Sequence, residues 1–476
     1  MSRTILCISA FVLLFSSKST PSVYAQTPIN HWKPIALASA DEIPLSALKE
    51  TQNRSIEVAE AQKQIEMSSL EQKSQIIFWQ KNHIFRWNEC ARELVAAHNV
   101  PPRCLPDSSG YPTPKREQAA DIPRYPFANP PYASRVFAYM SVAQHDALLA
   151  AHFYQSKFQK STPSVYPPDE AVIAGATAII LTYMFPAEAD LIAQKVEFAR
   201  LSTFSTGKYT PTEWTTGIEL GKAIAQKVLV LAKSDGMEAA QGSTSQWQQV
   251  VNRRSEAGEM TWTSIQKPKR ESIEPFFGNV KPWLVREITQ FRPSPPPSTN
   301  SEVLKTEVEF VKRYSRVPKK EQIDMVVRWS DAEFTHTPIG HWNTIACDLL
   351  LKEKSDDEQK VRTLAALNRA LMDAAIVCWE AKTYYCYPRP SQVDKTLHLH
   401  LPLPNFPSYP SGHSTFSGAA ATVLSFFFPN ESKKLFEMAE EASISRVYAA
   451  LHYKMDCEAG MIAGKKVGDL FVKEMK

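Results

Sequence analysis

Apolar residues that recur at three- and four-residue steps constrain the fold of this chain more than any other feature. The pattern starts at Ala133 (SRVFAYMSVAQHDALLAAHFY follows) and recurs over residues 169–185 and 211–233. This spacing places apolar side chains on one face of an α-helix. Strand-like alternation never extends beyond a few residues, and no internal repeat is visible. We therefore predict an all-α fold.

The segment Arg292–Asn300 (RPSPPPSTN) is the clearest break in the pattern, and it divides a front helical half, residues 131–291, from a back half, residues 301–476. The 476 residues contain 15 glycines and 34 prolines. Few glycines disfavour a Rossmann-type or all-β architecture, whereas prolines suit helix starts and long loops. Residues 26–130 form an N-terminal helical region with a proline-rich loop. In the back half, the predicted helices are 302–314, 342–352, 356–383, 413–427 and 432–452.

Residues 1–25 resemble a signal peptide. Arg3 precedes an apolar run from Ile5 to Phe15, and small residues allow cleavage after Ala25. A membrane anchor is the alternative, but the run is shorter than the roughly 18–20 residues that span a bilayer. We predict an exported protein, periplasmic or secreted, without stable membrane insertion. Its net charge of +4, with 54 basic and 50 acidic residues, is too balanced for a general nucleic-acid binder.

The cysteine pattern permits disulfides in an exported protein. Cys90 and Cys104 flank a helix end and a Pro-Pro turn, which makes them the favoured pair. A second bond, between Cys386 and Cys457, would join two of the motifs described next. The chain has no CxxC spacing, so a structural zinc site is not expected.

Two cations lie seven residues apart at the end of a predicted helix. Lys382 offers a compact charge, and Arg389 offers a fork that fits two oxygens of one anion. Downstream, Ser411, Gly412 and His413 open an apolar helix whose free N–H groups form an anion site. Ser411 adds a hydroxyl donor and Gly412 allows close backbone approach, while His413 is placed to give a proton to a leaving oxygen.

A third segment supplies Arg446, His452 and Asp456. The last two are four residues apart, and we predict that they share a helix face. The carboxylate of Asp456 would accept the Nδ1 proton of His452, which leaves Nε2 with a lone pair aimed at the anion. Lys382, Arg389 and Arg446 would then neutralise a phosphoryl group during in-line displacement.

These segments resemble the signature of the type-2 phosphatidic acid phosphatase and vanadium haloperoxidase superfamily. Lys382 to Pro390 matches Lys-x6-Arg-Pro, residues 410–413 match Pro-Ser-Gly-His, and residues 445–456 match Ser-Arg-x5-His-x3-Asp. Weaker matches to the soluble bacterial haloperoxidase-like branch lie at residues 143–147, 338–343 and 406–416 (FPSYPSGHSTF). The resemblance implies a large helical-bundle fold.

The resemblance also implies roles. His452 would be the nucleophile that forms a phosphohistidine, Asp456 would orient it, and His413 would protonate the leaving group. Lys382, Arg389, Ser411, Gly412 and Arg446 would bind the phosphoryl oxygens, with no metal or other cofactor. In the haloperoxidase branch the same pocket holds vanadate on the residue that matches His452, and the enzyme uses peroxide and halide.

Three functions remain open from the sequence. The favoured one is an exported, metal-independent phosphatase acting on a small phosphorylated substrate, since Pro388 stands where haloperoxidases of this type often have tryptophan. The second is a vanadate-dependent haloperoxidase, and the third is a non-enzymatic oxyanion binder. Outside the motifs, His398 and His400 have a spacing that suits a metal on a strand, but a loop at the pocket mouth is favoured. His145 and His341 are expected in the core, and a position next to the site or facing the substrate is the alternative for each.

Overall fold

A computed structural model describes residues 32–48, 53–101, 126–159, 165–266 and 270–476. In the front part the helices are α1 (Arg54–Glu66), α2 (Leu70–Trp79), α3 (His83–His98), α4 (Pro130–Phe158), α5 (Asp169–Met184), α6 (Ala189–Phe204), α7 (Pro211–Lys233), α8 (Thr244–Glu256) and α9 (Ile288–Phe291). In the back part they are α10 (Glu302–Arg316), α11 (Lys320–Arg328), α12 (Thr337–Lys352), α13 (Asp357–Tyr385), α14 (Pro390–Val393), α15 (Gly412–Phe427), α16 (Ser432–Tyr448) and α17 (Lys454–Glu474). Short 3-10 helices cover Pro186–Glu188, Met237–Ala239, Phe277–Asn279 and Pro429–Glu431. The described residues contain no strand, so the all-α prediction is confirmed.

Local sequence sets several helix ends. Asn129 and Asp356 cap α4 and α13 by accepting a backbone N–H in the first turn. Thr210 and Glu213 form a capping box at the start of α7. The prediction of one helix over residues 432–452 is wrong, because α16 ends at Tyr448. Ala450 has φ +58°, a left-handed conformation that a right-handed helix cannot include.

The back part repeats the architecture of the front part. Helices α5, α6 and α7 begin 243 positions before α15, α16 and α17, respectively. A Phe-Pro pair follows both α5 and α15 and begins a 3-10 helix, at Phe185-Pro186 and Phe428-Pro429. The turn before α7 has Gly207 at φ +68°, and the turn before α17 has Ala450 in the same conformation. The prediction that the chain lacks an internal repeat is therefore wrong.

Close helix packing follows the same scheme in both copies. A Cβ built on Gly221 of α7 would lie 2.0 Å from the Val172 carbonyl oxygen of α5. A Cβ on Gly464 of α17 would lie 2.0 Å from the Thr415 carbonyl oxygen of α15. Real Cβ atoms do not approach an oxygen so closely, so each contact requires glycine. These contacts fix the helix that carries the Pro-Ser-Gly-His motif against the last helix of the chain.

The two longest helices also anchor preceding segments in the same way. Asp146 of α4 accepts the backbone N–H groups of residues 35, 36 and 37 at 2.7–3.0 Å. Asp373 of α13 accepts those of residues 283, 284 and 285 at 2.7–3.0 Å. Hydrogen bonds to a charged acceptor contribute about 1.5–3 kcal/mol each, so each aspartate is a strong anchor.

One hydrophobic core joins both parts. It includes buried residues of α4, α5 and α7 together with residues of α13, α15 and α17. The division into residues 131–291 and 301–476 stays a prediction. No helix among the described ranges is long and apolar enough to span a membrane. The predicted signal peptide, residues 1–25, lies outside them.

The predicted Cys386–Cys457 disulfide is wrong. Both are buried free thiols in different clusters, Cys386 beside Trp247 and Trp262, and Cys457 within 3.2 Å of the Ser443 carbonyl oxygen. The other predicted pair cannot be described, since Cys104 lies outside the described residues.

Candidate active site

The three predicted motifs meet at one end of the back part. The first spans the end of α13 and the start of α14, the second begins α15, and the third is the turn between α16 and α17. Seven of the eight predicted side chains or backbone positions are buried: Lys382, Arg389, Ser411, Gly412, Arg446, His452 and Asp456. The eighth, His413, has a side chain that is 17% exposed.

His452 has its two ring nitrogens fixed by different partners. Nδ1 lies 2.8 Å from Asp456 Oδ2, and Nε2 lies 2.9 Å from Arg389 Nη1. A guanidinium nitrogen only donates, so Nε2 accepts and the proton sits on Nδ1. The pKa of His452 lies well below 6.5, because burial and then Arg389 and Lys382 oppose a positive charge on the ring. The imidazole is therefore neutral, with its lone pair on Nε2.

The His452–Asp456 contact forms without the predicted shared helix face. His452 lies in the turn after α16, whereas Asp456 is in the first turn of α17. Asp456 Oδ2 also accepts the Ser408 hydroxyl at 2.5 Å and the Tyr453 N–H at 3.2 Å. The turn is thus tied to the loop before α15 through one carboxylate oxygen. Burial raises the pKa of Asp456, and these hydrogen bonds and the nearby cations oppose that rise.

Lys382 and Arg389 are held by backbone carbonyls of that same loop. Lys382 Nζ donates to the carbonyls of residues 407, 408 and 410 at 2.6–2.9 Å. Arg389 donates to the Phe406 carbonyl at 3.0 and 3.1 Å and to the Leu451 carbonyl at 2.9 Å. Both cations also lie 5.0–5.1 Å from the centre of the Phe406 ring. Burial lowers the pKa of Arg389 to about 10, so it stays charged at neutral pH.

Arg446 lies in the last turn of α16, on the side of the site where His413 lies. Its guanidinium lies 3.0 Å from the Ser445 hydroxyl and 3.4 Å from the Ser330 carbonyl oxygen. Burial lowers the pKa of Arg446 to about 10. Burial and then Arg446 lower the pKa of His413 to about 4. The site thus sets a third fixed cation beside a histidine that is neutral at neutral pH.

The start of α15 supplies backbone donors and space. Ser411 caps the helix and accepts the Ser414 N–H at 3.4 Å. A Cβ built on Gly412 would meet Phe416 at 3.6 Å, which is ordinary van der Waals contact. Protein packing therefore does not require glycine at this position, in contrast to Gly464. Free N–H groups and helix polarity favour an anion here.

Sequence reasoning missed Asp331, which lies in the loop between α11 and α12. Its Oδ1 is 3.0 Å from His341 Nδ1, and its Oδ2 is 3.4 Å from His413 Nε2. The second contact has an ion-pair distance without hydrogen-bond alignment. These two histidines hold the pKa of Asp331 far below its usual range, although burial opposes this. Asp331 has no motif spacing that would have singled it out.

Ser408 was also missed as an individual residue, although it lies within the FPSYPSGH segment. Three tyrosines of the motifs bind the proline-rich segment at 292–300. Tyr385, Tyr387 and Tyr409 donate to the carbonyls of residues 293, 297 and 294 at 2.6–2.9 Å. The segment that marks the break in the sequence pattern is thus docked against the site motifs.

The remaining histidines lie apart from the motifs. His400 Nε2 is 3.0 Å from the Ser315 carbonyl oxygen, which ties its loop to α10. His145 packs its ring against Trp32 and contacts Asp146, so it is a core residue as predicted. His341 is the exception, because it reaches the site through Asp331. No group of three or more His, Cys, Asp or Glu in the described ranges is arranged to hold a metal ion.

Residues 363–472 match the family model of the PAP2 superfamily. Among curated proteins, none matches this chain in sequence. The structure is similar to that of a bacterial vanadium-dependent iodoperoxidase, with 21% identity, a TM-score of 0.63, and coverage of 83% of this chain and 95% of that one. It is also similar to a bacterial vanadium-dependent chloroperoxidase in its holo form (14% identity, TM-score 0.55, coverage 76% and 96%) and in its apo form (14%, 0.55, 72% and 94%).

The family match spans all three motifs, from the helix that carries Lys382 to the helix that carries Asp456. The structural likeness extends over both parts of the chain and shows a shared all-helical fold. The resemblance predicted from the motifs is confirmed: residues 363–472 form a PAP2 superfamily region, within a fold that bacterial vanadium haloperoxidases share.

Proposed function

We propose that this protein hydrolyses phosphoric esters through a phosphohistidine formed on His452. The observation that carries the proposal is the fixed tautomer of that residue. Its Nε2 has a lone pair and faces Arg389, and its Nδ1 proton is held by Asp456. A neutral imidazole with an oriented carboxylate partner is the arrangement that an attacking histidine requires.

In the first step, His452 Nε2 attacks phosphorus and the bond between phosphorus and the leaving oxygen breaks. Protonated His413 transfers a proton to that oxygen, so an alcohol departs. The ring of His452 becomes cationic, and the Asp456 carboxylate at 2.8 Å compensates that charge. The entering phosphoryl group takes up the Arg389 N–H that now contacts Nε2.

In the second step, water attacks phosphorus while His413, now neutral, accepts a water proton. The N–P bond breaks, and its electron pair returns to His452 Nε2. Phosphate leaves, and both histidines regain their starting states. The same group thus acts first as acid and then as base, as microscopic reversibility requires.

The charges of the site favour an oxyanion. Three buried cations, Lys382, Arg389 and Arg446, face two buried carboxylates, Asp331 and Asp456. With all five groups ionised, one positive charge is left uncompensated, and burial makes its interaction with an anion stronger than in water. Burial lowers the pKa of Lys382 to about 7, and a bound anion favours its charged form. The space at Gly412 lets phosphoryl oxygens reach the N–H groups of α15.

Vanadate-dependent halide oxidation is the second candidate, favoured by the structural likeness to vanadium peroxidases. The site fits vanadate, because vanadate is a tetrahedral oxyanion like phosphate. The Nε2 lone pair of His452 is also available as a ligand. Lys382, Arg389, Arg446, Ser411 and Gly412 would hold its oxygens. When bound, vanadate supplies activation of peroxide toward halide.

Paired assays on one preparation test both candidates. The first follows p-nitrophenyl phosphate with EDTA present, and the second follows monochlorodimedone bromination or chlorination after vanadate loading. We expect turnover of this ester to be lost in His452→Ala, which lacks the nucleophile, and in His413→Ala, which lacks the base of the second step. It should be kept in His152→Gln, which alters a histidine on α4 that pairs with Asp169 and Glu358. Turnover that survives His452→Ala refutes the phosphohistidine. Halogenation without ester turnover selects the second candidate, and phosphate binding without either activity indicates an oxyanion binder.

A further inference from the structure

Asp331 is a buried carboxylate placed between two histidines. Its Oδ1 is 3.0 Å from His341 Nδ1 on α12, and its Oδ2 is 3.4 Å from His413 Nε2 on α15. Both Oδ2 and His413 Nε2 are buried, and neither has a hydrogen-bond partner in the described part of the chain, so the 3.4 Å ion-pair contact is the polar contact available to each of them. The two atoms therefore face each other, and the carboxylate links the acid of the proposed reaction to a second histidine.

The backbone around Asp331 is held in an unfavourable conformation. Asp331, Phe334 and Thr337 have φ values of +42°, +65° and +63°, within seven residues and without a glycine among them. Non-glycine residues rarely adopt this region, because their Cβ clashes with the backbone. Such strain persists where the surrounding structure over-determines it, and it concentrates at functional sites. Here it directs the Asp331 side chain toward the two rings.

His341 is itself fixed in place. Its ring stacks on Trp329 with centroids 4.3 Å apart and an interplanar angle of 23°. Trp329 is anchored in turn by a 3.0 Å hydrogen bond from its Nε1 to Glu441. The stacked imidazole thus keeps Nδ1 pointed at Asp331. The side chain of His341 is 20% exposed and that of Asp331 is 6% exposed, so His341 is the partner nearer to solvent.

We propose that His341 and Asp331 are positioning residues that fix the tautomer of His413. His341 Nδ1–H orients the carboxylate, and the carboxylate keeps the Nε2 proton of His413 in place. His413 Nδ1, on the other side of the ring, is then the nitrogen that gives a proton to the leaving oxygen and later takes one from water. The site therefore has two matched pairs, with Asp456 fixing His452 through Nδ1 and Asp331 fixing His413 through Nε2.

The charged and titratable groups around His413 fit this assignment. Arg446 faces it from α16, His452 from the turn before α17, and Asp331 and His341 from the loop and α12. Asp331 is the one acidic group among them. Among these groups, Asp331 alone can accept a hydrogen bond from His413 Nε2–H. Arg446 disfavours the protonated form of the His413 ring.

The test compares His341→Leu, which removes the donor, with His341→Asn, whose amide N–H replaces Nδ1–H. The inference rests on the proposed function, so one readout is catalytic and one is not. The first is kcat/KM for p-nitrophenyl phosphate and for n-butyl phosphate, since nitrophenolate leaves without a proton and butanol needs one. The second is the ¹⁵N spectrum of His413 in [¹⁵N]histidine-labelled full-length protein, which distinguishes the two tautomers. His152→Leu is the matched control.

We expect His341→Leu to lower kcat/KM for n-butyl phosphate about tenfold and that for p-nitrophenyl phosphate less than about twofold. His341→Asn should restore most of the loss, and His152→Leu should cause none. In the spectrum, His413 should be the Nε2–H tautomer in the original chain and a mixture in His341→Leu. Equal losses for both esters, or an unchanged tautomer in His341→Leu, overturn the inference. A chain that hydrolyses no ester refutes the proposed function, and the tautomer measurement then still decides this one.

Discussion

Replacing Asp456 by asparagine separates the catalytic contribution of that carboxylate from its structural one. The amide has the same shape, and its oxygen can still accept from His452 Nδ1, Ser408 and Tyr453. Its NH2 group would take the place of Oδ1, which is buried and has no hydrogen-bond partner in the described residues. The change therefore removes the negative charge next to His452 Nδ1 but keeps the oxygen that accepts its hydrogen bond.

The expected loss follows from that missing charge. The His452 ring becomes cationic only when phosphorus is attacked, so Asp456 stabilises the transition state more than the ground state. A hydrogen bond to a charged partner contributes about 1.5–3 kcal/mol, and each 1.4 kcal/mol is a factor of about ten. We expect kcat to fall about 10- to 150-fold in Asp456→Asn, with KM changed less than about threefold.

Stability should change in the other direction. Burial raises the folded-state pKa of Asp456 above its unfolded value, so ionisation is harder in the folded protein. The stability that this group contributes is complete below the unfolded pKa and is lost as pH rises through the folded pKa. Asparagine carries no such cost. The melting temperature of Asp456→Asn at about pH 8 should match or exceed that of the original chain.

Steady-state kinetics with p-nitrophenyl phosphate and thermal unfolding at about pH 4 and pH 8 test this reasoning. Asp146→Asn, which alters a buried anchor on α4, 236 positions before Lys382, is a control for general damage. An unchanged kcat in Asp456→Asn, or a kcat that falls only as much as the folded fraction, would refute the assigned role.

Further predictions concern packing, space and pH. Gly464→Ala should lower the melting temperature by several degrees in a calorimeter, because its Cβ would press on the Thr415 carbonyl oxygen. Gly412→Ala, whose Cβ has space, should keep the melting temperature but weaken phosphate binding in isothermal titration. The pKa of His413 is about 4, so kcat/KM for n-butyl phosphate, whose leaving group needs a proton, should decline as pH rises above that value. A flat profile for this ester from about pH 4 to 8 would contradict the role of His413 as the acid. Asp146→Ala should release the N-terminal segment at residues 32–48, which limited proteolysis would detect as early cleavage; resistance equal to that of the original chain would contradict the anchoring.

Helix positions and motif residues were predictable because their causes are local. Apolar spacing sets α5, α7 and α15, whose bounds agree with the prediction to within one residue. The motif cations and histidines come together because each motif lies at a helix end or turn. The end of α16 was missed, because the left-handed position after it is occupied by Ala450 and not by glycine, which would have marked a turn in the sequence.

The contacts of Asp331 with His341 and His413 were not predictable, because they join segments that are far apart along the chain. His341 and His413 are 72 positions apart, and the carboxylate that joins them lies in a loop without any motif. The internal repeat was hidden for a different reason. Its shared positions are mostly small or apolar residues that many helices contain, and only the three-dimensional packing at Gly221 and Gly464 makes the equivalence clear.

The repeat gives this chain an internal reference for telling architecture from chemistry. The Phe-Pro turns, the anchoring aspartates and three close-packed glycines are the same in both copies, which indicates that the fold itself requires them. These glycines are Gly175, Gly217 and Gly221 in the front copy and Gly418, Gly460 and Gly464 in the back copy. At the positions of the site, the copies differ. The front counterparts of Lys382, His413, Arg446, His452 and Asp456 are Gln155, Glu170, Thr203, Tyr209 and Glu213.

Gln155 even keeps the structural contact of Lys382, because its Nε2 donates to the Pro167 carbonyl at 2.8 Å as Lys382 Nζ donates to that of Pro410 at 2.6 Å. The positive charge is therefore not needed to close this helix end. The front copy thus contains the scaffold alone, and the positions at which the back copy differs from it are those that we propose bind the oxyanion and carry the reaction.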